Sequence, residues 1–340
     1  MRETIVIRKN LHIIIIIISS ILLILIAGLR PIGIDSDSYN YASILHVPLY
    51  GFNFTSIEPF VWLIIGLNRY LFSGNEQAFF LMFALLGVTL KLYAIKRISL
   101  FPMLSIITYI SLYFVLHEMI QIRVGVAAGI FLLSLPDIAR RNLTGYLFKT
   151  TLACMFHYSA IIMLVVYFFR PNKINKYFYM ALPIIGISLA VTGDVILRLI
   201  NIVIGFFPMI LSYRMNLHIF LLGEGISADI NLFNIYYSVL LLLYYFLLFN
   251  YGKMKSEYDL ILIKIFGLML FSFYALSSVP VLAFRVSEFL GVVLIILIPH
   301  SVFMFKQKAI ATFSIMVVLI TYFVFIMLSQ NLNINVLSNL

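Results

Sequence analysis

Charge is what this chain has least of. Only 11% of its 340 residues are Asp, Glu, Lys or Arg, against the roughly 25% that a water-soluble domain carries. A soluble protein could not be clothed from that supply. Carboxylates are scarcer than cations, 13 against 23, which leaves a formal net charge of +10. A single cysteine, Cys154, excludes an intramolecular disulfide and argues against a cysteine-based metal site. No glycine-rich phosphate loop, no HExxH and no aspartate pair in an apolar setting are present, which argues against an ATP-driven pump, a zinc protease and an aspartyl protease. The positive charge suggests nucleic acid. Its lysines and arginines, however, sit mainly in short loops between apolar runs, which is how membrane topology is written.

Apolar residues fill what is left. They make up 63% of the chain, and mean hydropathy is +1.10. Runs long enough to cross the roughly 30 Å hydrocarbon core recur throughout, and nothing between them is long enough for a soluble domain. The expected fold is all-α, a polytopic integral membrane protein with a single transmembrane domain over 1–340 and roughly ten or eleven crossings. The first run, 11–29, follows Arg2, Arg8 and Lys9 without a small-residue cleavage pattern. It reads as an uncleaved first crossing with its N-terminus in the cytoplasm. Further spans are expected at 77–95, 100–116, 178–197, 232–249, 260–277, 282–298 and 310–327.

Basic groups at Lys96 and Arg97, Arg140 and Arg141, Arg170 to Lys176, Lys253 and Lys255, and Lys306 and Lys308 read as cytoplasmic loops. Keeping all of them on one side has two consequences. Residues 30–76 become an outer-face loop carrying an amphipathic or partly inserted helix at 58–72. Between Arg141 and Arg170 the chain must leave and return through two short limbs, 142–155 and 157–169, too short for full spans and so re-entrant. One long tilted helix is the alternative there. A second outer-face loop region is expected at 198–231.

The polar residues that topology does not explain gather near the outer face. They are Arg30, Asp35, Asp37 and Tyr39 in AGLRPIGIDSDSYNY, Glu58 before Pro59, His117, Glu118, Gln121 and Arg123 in HEMIQIRVGVAAGI, His157 in CMFHYSAI, Arg198, Arg214 and His218, and Arg285 and Glu288 in VPVLAFRVSEFLG. An arginine at membrane depth costs roughly 2.5 to 3.5 kcal/mol on insertion scales unless it is paired or wet. Several from different segments point to an anionic ligand, and guanidinium forks suit phosphate oxygens. The carboxylates and His157 can orient those arginines or move protons. Plainer roles compete: Arg30 and Arg123 as snorkelling anchors, Asp35 and Asp37 as turn or helix caps, Glu58 as a helix start, His157 as a satisfied histidine, and His117, Glu118 and His218 as structural or surface groups. Arg285, apolar on both sides, fits a plain role least well. Asp35 and Asp37 are also a weak signal for a divalent ion.

These blocks together resemble the EpsG/Wzy-like exopolysaccharide and O-antigen polymerases. AGLRPIGIDSDSYNY, with Arg30, Gly33, Asp35, Asp37 and Tyr39, resembles the family's N-terminal signature. Glu58 and Pro59 resemble its next block. Gln121, Ile122 and Arg123 resemble an arginine block, with the order of glutamine and arginine reversed. FHYSAII, with His157 and Ser159, and the late Arg285 complete the match. The resemblance implies a GT-C-like superfamily architecture with short or re-entrant segments, in the bacterial cytoplasmic membrane. It implies polymerisation of undecaprenyl-diphosphate-linked oligosaccharides on the outer face, with no metal or cofactor. A flippase and a chain-length regulator of the same pathway are the implied partners, and nucleic acid is not one. In that chemistry Arg30, Arg123, Arg285 and Arg214 would neutralise the diphosphate leaving group. His157 would be the base, with Asp37 or Glu58 in its place as the alternative. Asp35, Tyr39 and Gln121 would position substrate, and Tyr39 and Trp62 can stack on sugar rings. Glycan choice would lie in the loops 40–55 and 206–229. An O-antigen ligase-like transferase, with a different acceptor, and a lipid-linked oligosaccharide transporter are the rival readings. A transporter would call for polar residues through both leaflets.

Overall fold

A computed structural model describes residues 2–47, 57–192 and 230–331, with side chains from 14 to 328 inside those stretches. All regular structure among the described residues is helical. α1 (Arg2–Gly28) packs so closely on α4 (Glu76–Ile98) that a Cβ on Gly28 would lie 2.7 Å from the Leu81 Cα. Between them come α2 (Ser38–Leu45) and α3 (Pro59–Phe72), a 14-residue helix that starts on proline, where a missing N–H costs nothing. The helix expected at 58–72 is therefore present. α4 starts on Asn75, whose side chain accepts from the Ala78 N–H at 2.8 Å, and ends on Lys96 and Arg97, suited to the negative end of the helix dipole.

α5 (Pro102–Tyr109) runs on as a π-helix over Ile110–Ile120, and the chain then breaks at Gln121 before α6 (Ile122–Ala139). π-Helical turns are rare and concentrate at functional sites. α6 is a span absent from the sequence-based set above. Arg123, Asp137 and its small residues dilute the apolar signal, yet it is the most enclosed of the candidate spans.

After α6 the chain doubles back as two short limbs. α7 (Leu143–Phe156) ends at His157, which is extended (φ −156°, ψ 121°), and a 3₁₀ turn (Tyr158–Ile162) leads into α8 (Met163–Val166). Tyr146 donates from α7 to the Met163 carbonyl at 2.7 Å. Lower down, Arg141 donates to the Tyr167 carbonyl at 2.8 Å, and the Tyr167 hydroxyl donates back to the Arg141 carbonyl at 3.3 Å. The hairpin thus brings 141 and 167 together, with His157 at its far tip.

α9 (Lys176–Val191), α10 (Ile235–Asn250) and the deeply buried α11 (Asp259–Ala275) follow, then α12 (Pro280–Gly291), α13 (Leu294–His300) and the peripheral α14 (Lys308–Asn331). Five described helices are long and apolar enough to span a membrane. The pair Pro280–Gly291 and Leu294–Met304, bent by 51°, makes a sixth if it counts as one span, while Ile14–Gly28, α3 and α9 are apolar but shorter. The chain is a multi-pass membrane protein.

The two ends of the bundle differ. At one end His300 on α13 binds Asp259 on α11 at 2.6 Å and accepts from the Leu100 N–H at 3.0 Å, joining three helix ends. Arg97 and Arg140 lie within electrostatic reach of Tyr258 at the same end. The opposite end carries Arg30, the Gln121 break, the His157 tip and the start of α12.

Candidate functional site

Five chain segments meet at that second end. Glu58 occupies the position before α3 with extended backbone (φ −65°, ψ 147°), so its carbonyl accepts from Val61 and Trp62 while its carboxylate turns inward. There Oε2 accepts from a terminal nitrogen of Arg123 at 2.6 Å. Arg123 stands in the first turn of α6 because the chain breaks at Gln121 just before it. Its guanidinium lies 5.6 Å from the centre of the Tyr41 ring on α2, and its Nε has no hydrogen-bond partner among the described residues.

His157, held at the hairpin tip, brings Nδ1 to 3.3 Å from Glu58 Oε1, inside ion-pair reach but off the alignment of a hydrogen bond. Nε2 has no partner among the described residues, and the ring is buried. Burial by itself raises the Glu58 carboxyl, but His157 and the Arg123 charge outweigh it and hold the group at about 2. Asp37, in the turn before α2, moves the other way. Burial and the neighbouring Asp35 charge raise it above the ordinary aspartate value, partly offset by Arg285 and Arg123.

Arg285, one turn into α12, completes the cluster. It lies within electrostatic reach of Arg123, Tyr41, Glu58 and Asp37, its side chain is exposed, and it makes no hydrogen bond or ion pair among the described residues. The arrangement therefore offers one uncommitted guanidinium, one guanidinium held between the Glu58 carboxylate and Tyr41, and an imidazole with a free nitrogen.

Other residues singled out from sequence stand elsewhere. Arg30 is buried, and its guanidinium donates to Asp35 Oδ2 at 2.8 Å and to the Ala27, Glu118 and Met119 carbonyls at 2.5, 3.5 and 2.7 Å, over the Phe80 ring. It ties the last turn of the π-helix to α1. Asp35 accepts on Oδ1 from the Asp37 and Ser38 N–H groups at 3.1 and 2.8 Å, shaping the entry to α2. Tyr39 is exposed. Its hydroxyl lies against Gly33, whose φ of +91° is a turn conformation that favours glycine. Trp62, on α3, is buried. Gln121 donates from Nε2 to Glu288 Oε2 at 2.6 Å, with its own Oε1 buried and unpartnered among the described residues. Arg198, Arg214, His218 and the loop at 206–229 lie outside the described residues.

Sequence reading missed two participants. Tyr41 floors the arginine, yet a tyrosine near a membrane boundary draws no notice. Lys91, inside the run read as a plain span, forms a buried ion pair with Glu118 at 2.5 Å and donates to the Gly125 carbonyl at 2.6 Å, and Tyr109 donates to the same carboxylate at 2.8 Å. An ionisable residue in mid-span is itself the signal that could have found it. Glu118, expected to be structural, is its buried partner. This network fixes the break that aims Gln121 and Arg123.

Fold and site together define an all-helical, multi-pass membrane protein with an arginine, carboxylate and histidine cluster near one end of its spans. The chain belongs to the EpsG family, whose profile matches residues 13–338. That membership supports an exopolysaccharide polymerase-type role in a general sense. No curated protein and no solved structure matches the chain.

Proposed function

We propose that this protein joins undecaprenyl-diphosphate-linked oligosaccharide repeats into a surface polysaccharide, at the extracytoplasmic side of the bacterial cytoplasmic membrane. The observation that carries the reading is the Glu58–Arg123 pair facing His157, next to the uncommitted Arg285. A hydroxyl of the acceptor repeat attacks the anomeric carbon of the donor glycan. The bond to the diphosphate breaks, and its electron pair stays on the diphosphate oxygen. Arg285 and Arg123 neutralise that oxygen as charge develops, aided by the α6 N-terminus. The hydroxyl proton passes to the free nitrogen of His157, while Glu58 orients the ring and stabilises the imidazolium. Asp37 is the alternative base. Donor and acceptor are both lipid-linked in this scheme, so no nucleotide-sugar site is required.

Arg30 and Asp35 then serve as positioning residues that shape the site wall, and Gln121 with Glu288 does the same from α12. Arg214 remains a proposed diphosphate contact. A flippase and a chain-length regulator would act beside the protein.

The test is to delete the gene in its host, complement with wild type or Arg285→Ala, and resolve lipid-linked glycan by length. Single repeats should accumulate in the deletion and in R285A, with long chains restored by wild type. Long chains persisting on the lipid carrier, with only their transfer to a final acceptor lost, would overturn polymerisation in favour of a ligase.

A further inference from the structure

At the basic end of the bundle, away from the site just described, an open cavity of about 610 Å³ lies between the end of α6 and the loop leading to α9. Arg141, Arg170 and Lys173 line it together with Phe168 and Asn172, and no carboxylate does. The nearest acid on α6, Asp137, is already held by Lys149 and Asn142. The side chains of Arg170 and Lys173 make no hydrogen bond or ion pair among the described residues, and both are exposed.

A topology signal needs basic residues near the membrane boundary. It does not need the backbone that carries them fixed around a hollow, and here that backbone is held. α6 ends in a paired motif, with the Asn142 N–H donating to the Asp137 carbonyl at 2.9 Å and the Arg141 N–H to the Ile138 carbonyl at 3.2 Å. The left-handed residue of that motif is usually glycine. Here it is Arg141, at φ 55°, a conformation that side chains disfavour. Across the cavity Lys264, buried on α11, donates to the carbonyls of Arg170 and Lys173 and pins the loop that carries them. Phe168 on the same rim is 79% exposed, and Tyr177 and Phe178 nearby are exposed as well.

We infer that this cavity binds the phosphate of an anionic phospholipid headgroup, with Arg141, Arg170 and Lys173 contacting phosphate oxygens and Phe168 seated at the acyl boundary. Three cations without a carboxylate select an anion, and guanidinium groups suit phosphate. The exposed aromatic rim favours a lipid over a free ion, since it has apolar surface to cover only if a chain is attached. Nothing in this reading depends on the glycan chemistry at the other end.

The test uses the full chain in nanodiscs of phosphatidylcholine with a minor share of phosphatidylglycerol of the same acyl chains, and native mass spectrometry of retained lipid. Wild type should retain phosphatidylglycerol selectively. Arg170→Gln and Lys173→Gln should each weaken retention about fivefold, the effect of one basic residue near an anionic surface. Asn172→Glu should abolish the selectivity with every cation still present. Equal retention of the two lipids by wild type would overturn the inference, and that measurement needs no variant. So would selectivity unchanged in N172E, or displacement of the lipid by inorganic phosphate at equal concentration, which would assign the cavity to the free anion.

Discussion

Arg123 and Arg285 belong to one cluster but differ in pairing, and that difference sets what each substitution does. Arg285 has no partner among the described residues, so Arg285→Ala should leave the thermal unfolding temperature in detergent nearly unchanged while polymer formation falls on the order of 10²–10³-fold. Arg123→Ala should lose both. It strands the buried Glu58 carboxylate, and breaking one half of a buried ion pair costs about 3 to 5 kcal/mol. Equal destabilisation by the two variants would contradict the assignment. Glu58 also predicts a pH dependence. Its carboxyl is held at about 2 against an ordinary 4.5, so the folded state binds that proton less readily than the unfolded state. The stabilisation is complete above about 4.5 and is lost as pH falls towards 2. Unfolding temperatures measured between pH 7 and pH 3 should drop on the acid side in wild type and drop less in Glu58→Gln. Sequence marked Glu58, Arg123, His157, Asp37 and Arg285 because ionisable groups in apolar surroundings need partners or ligands. It could not show that Arg30 is already engaged, because the Glu118 and Met119 carbonyls that hold it lie 88 and 89 residues away.

At the scale of the element, the decisive feature is the junction of the π-helix with α6. Gly125 sits where an added Cβ would be 2.0 Å from the His117 carbonyl oxygen and 2.9 Å from its carbon. That obstacle is backbone and cannot swing aside, unlike the tip of a long side chain. Gly125→Ala should therefore push α6 off the π-helix, cost about 1 to 3 kcal/mol of stability, and misplace Arg123 enough to reduce polymer formation as well. Gly66 on α3 is the contrast, with nothing within 4 Å of its added Cβ. Gly66→Ala should leave unfolding temperature unchanged or slightly raised, since alanine is the better helix former. A cooperative unfolding temperature for G125A equal to that of G66A would rule out the close-approach argument. Hydropathy reveals that apolar residues lie on both sides of Gln121, and charge placement foretells the two-limbed turn at His157. A π-helix has no sequence period of its own to read. The Lys91–Glu118 pair that fixes the junction arises only when α4 packs on the π-helix, with Lys91 also reaching the Gly125 carbonyl on α6.

For the whole molecule, the separation of its two ends makes orientation testable. One end gathers Arg97, Arg140, Arg141, Arg170 and Lys173 around the His300–Asp259 contact, and the other holds the Glu58, Arg123, His157 and Arg285 cluster. Composition was enough to read the membrane class, because so few charges cannot cover a soluble surface. Which apolar runs cross completely was less legible, since length alone does not separate a span from the α7–α8 hairpin or the bent α12–α13 pair. Counting basic residues predicts an orientation with the arginine cluster outside, and that prediction has a direct check. In a Cys154→Ala background, Ser36→Cys places a thiol on an exposed turn beside the arginine cluster, and Glu257→Cys places one at the basic end. Membrane-impermeant maleimide added to intact cells should label Ser36→Cys, and should label Glu257→Cys only after permeabilisation. The opposite pattern would put the cluster in the cytoplasm, where nucleotide sugars are the usual donors. A mechanism built on lipid-linked donors at the outer face would then fail whatever the chemistry of its residues, so this measurement bears on the proposed function as directly as any change to the site itself.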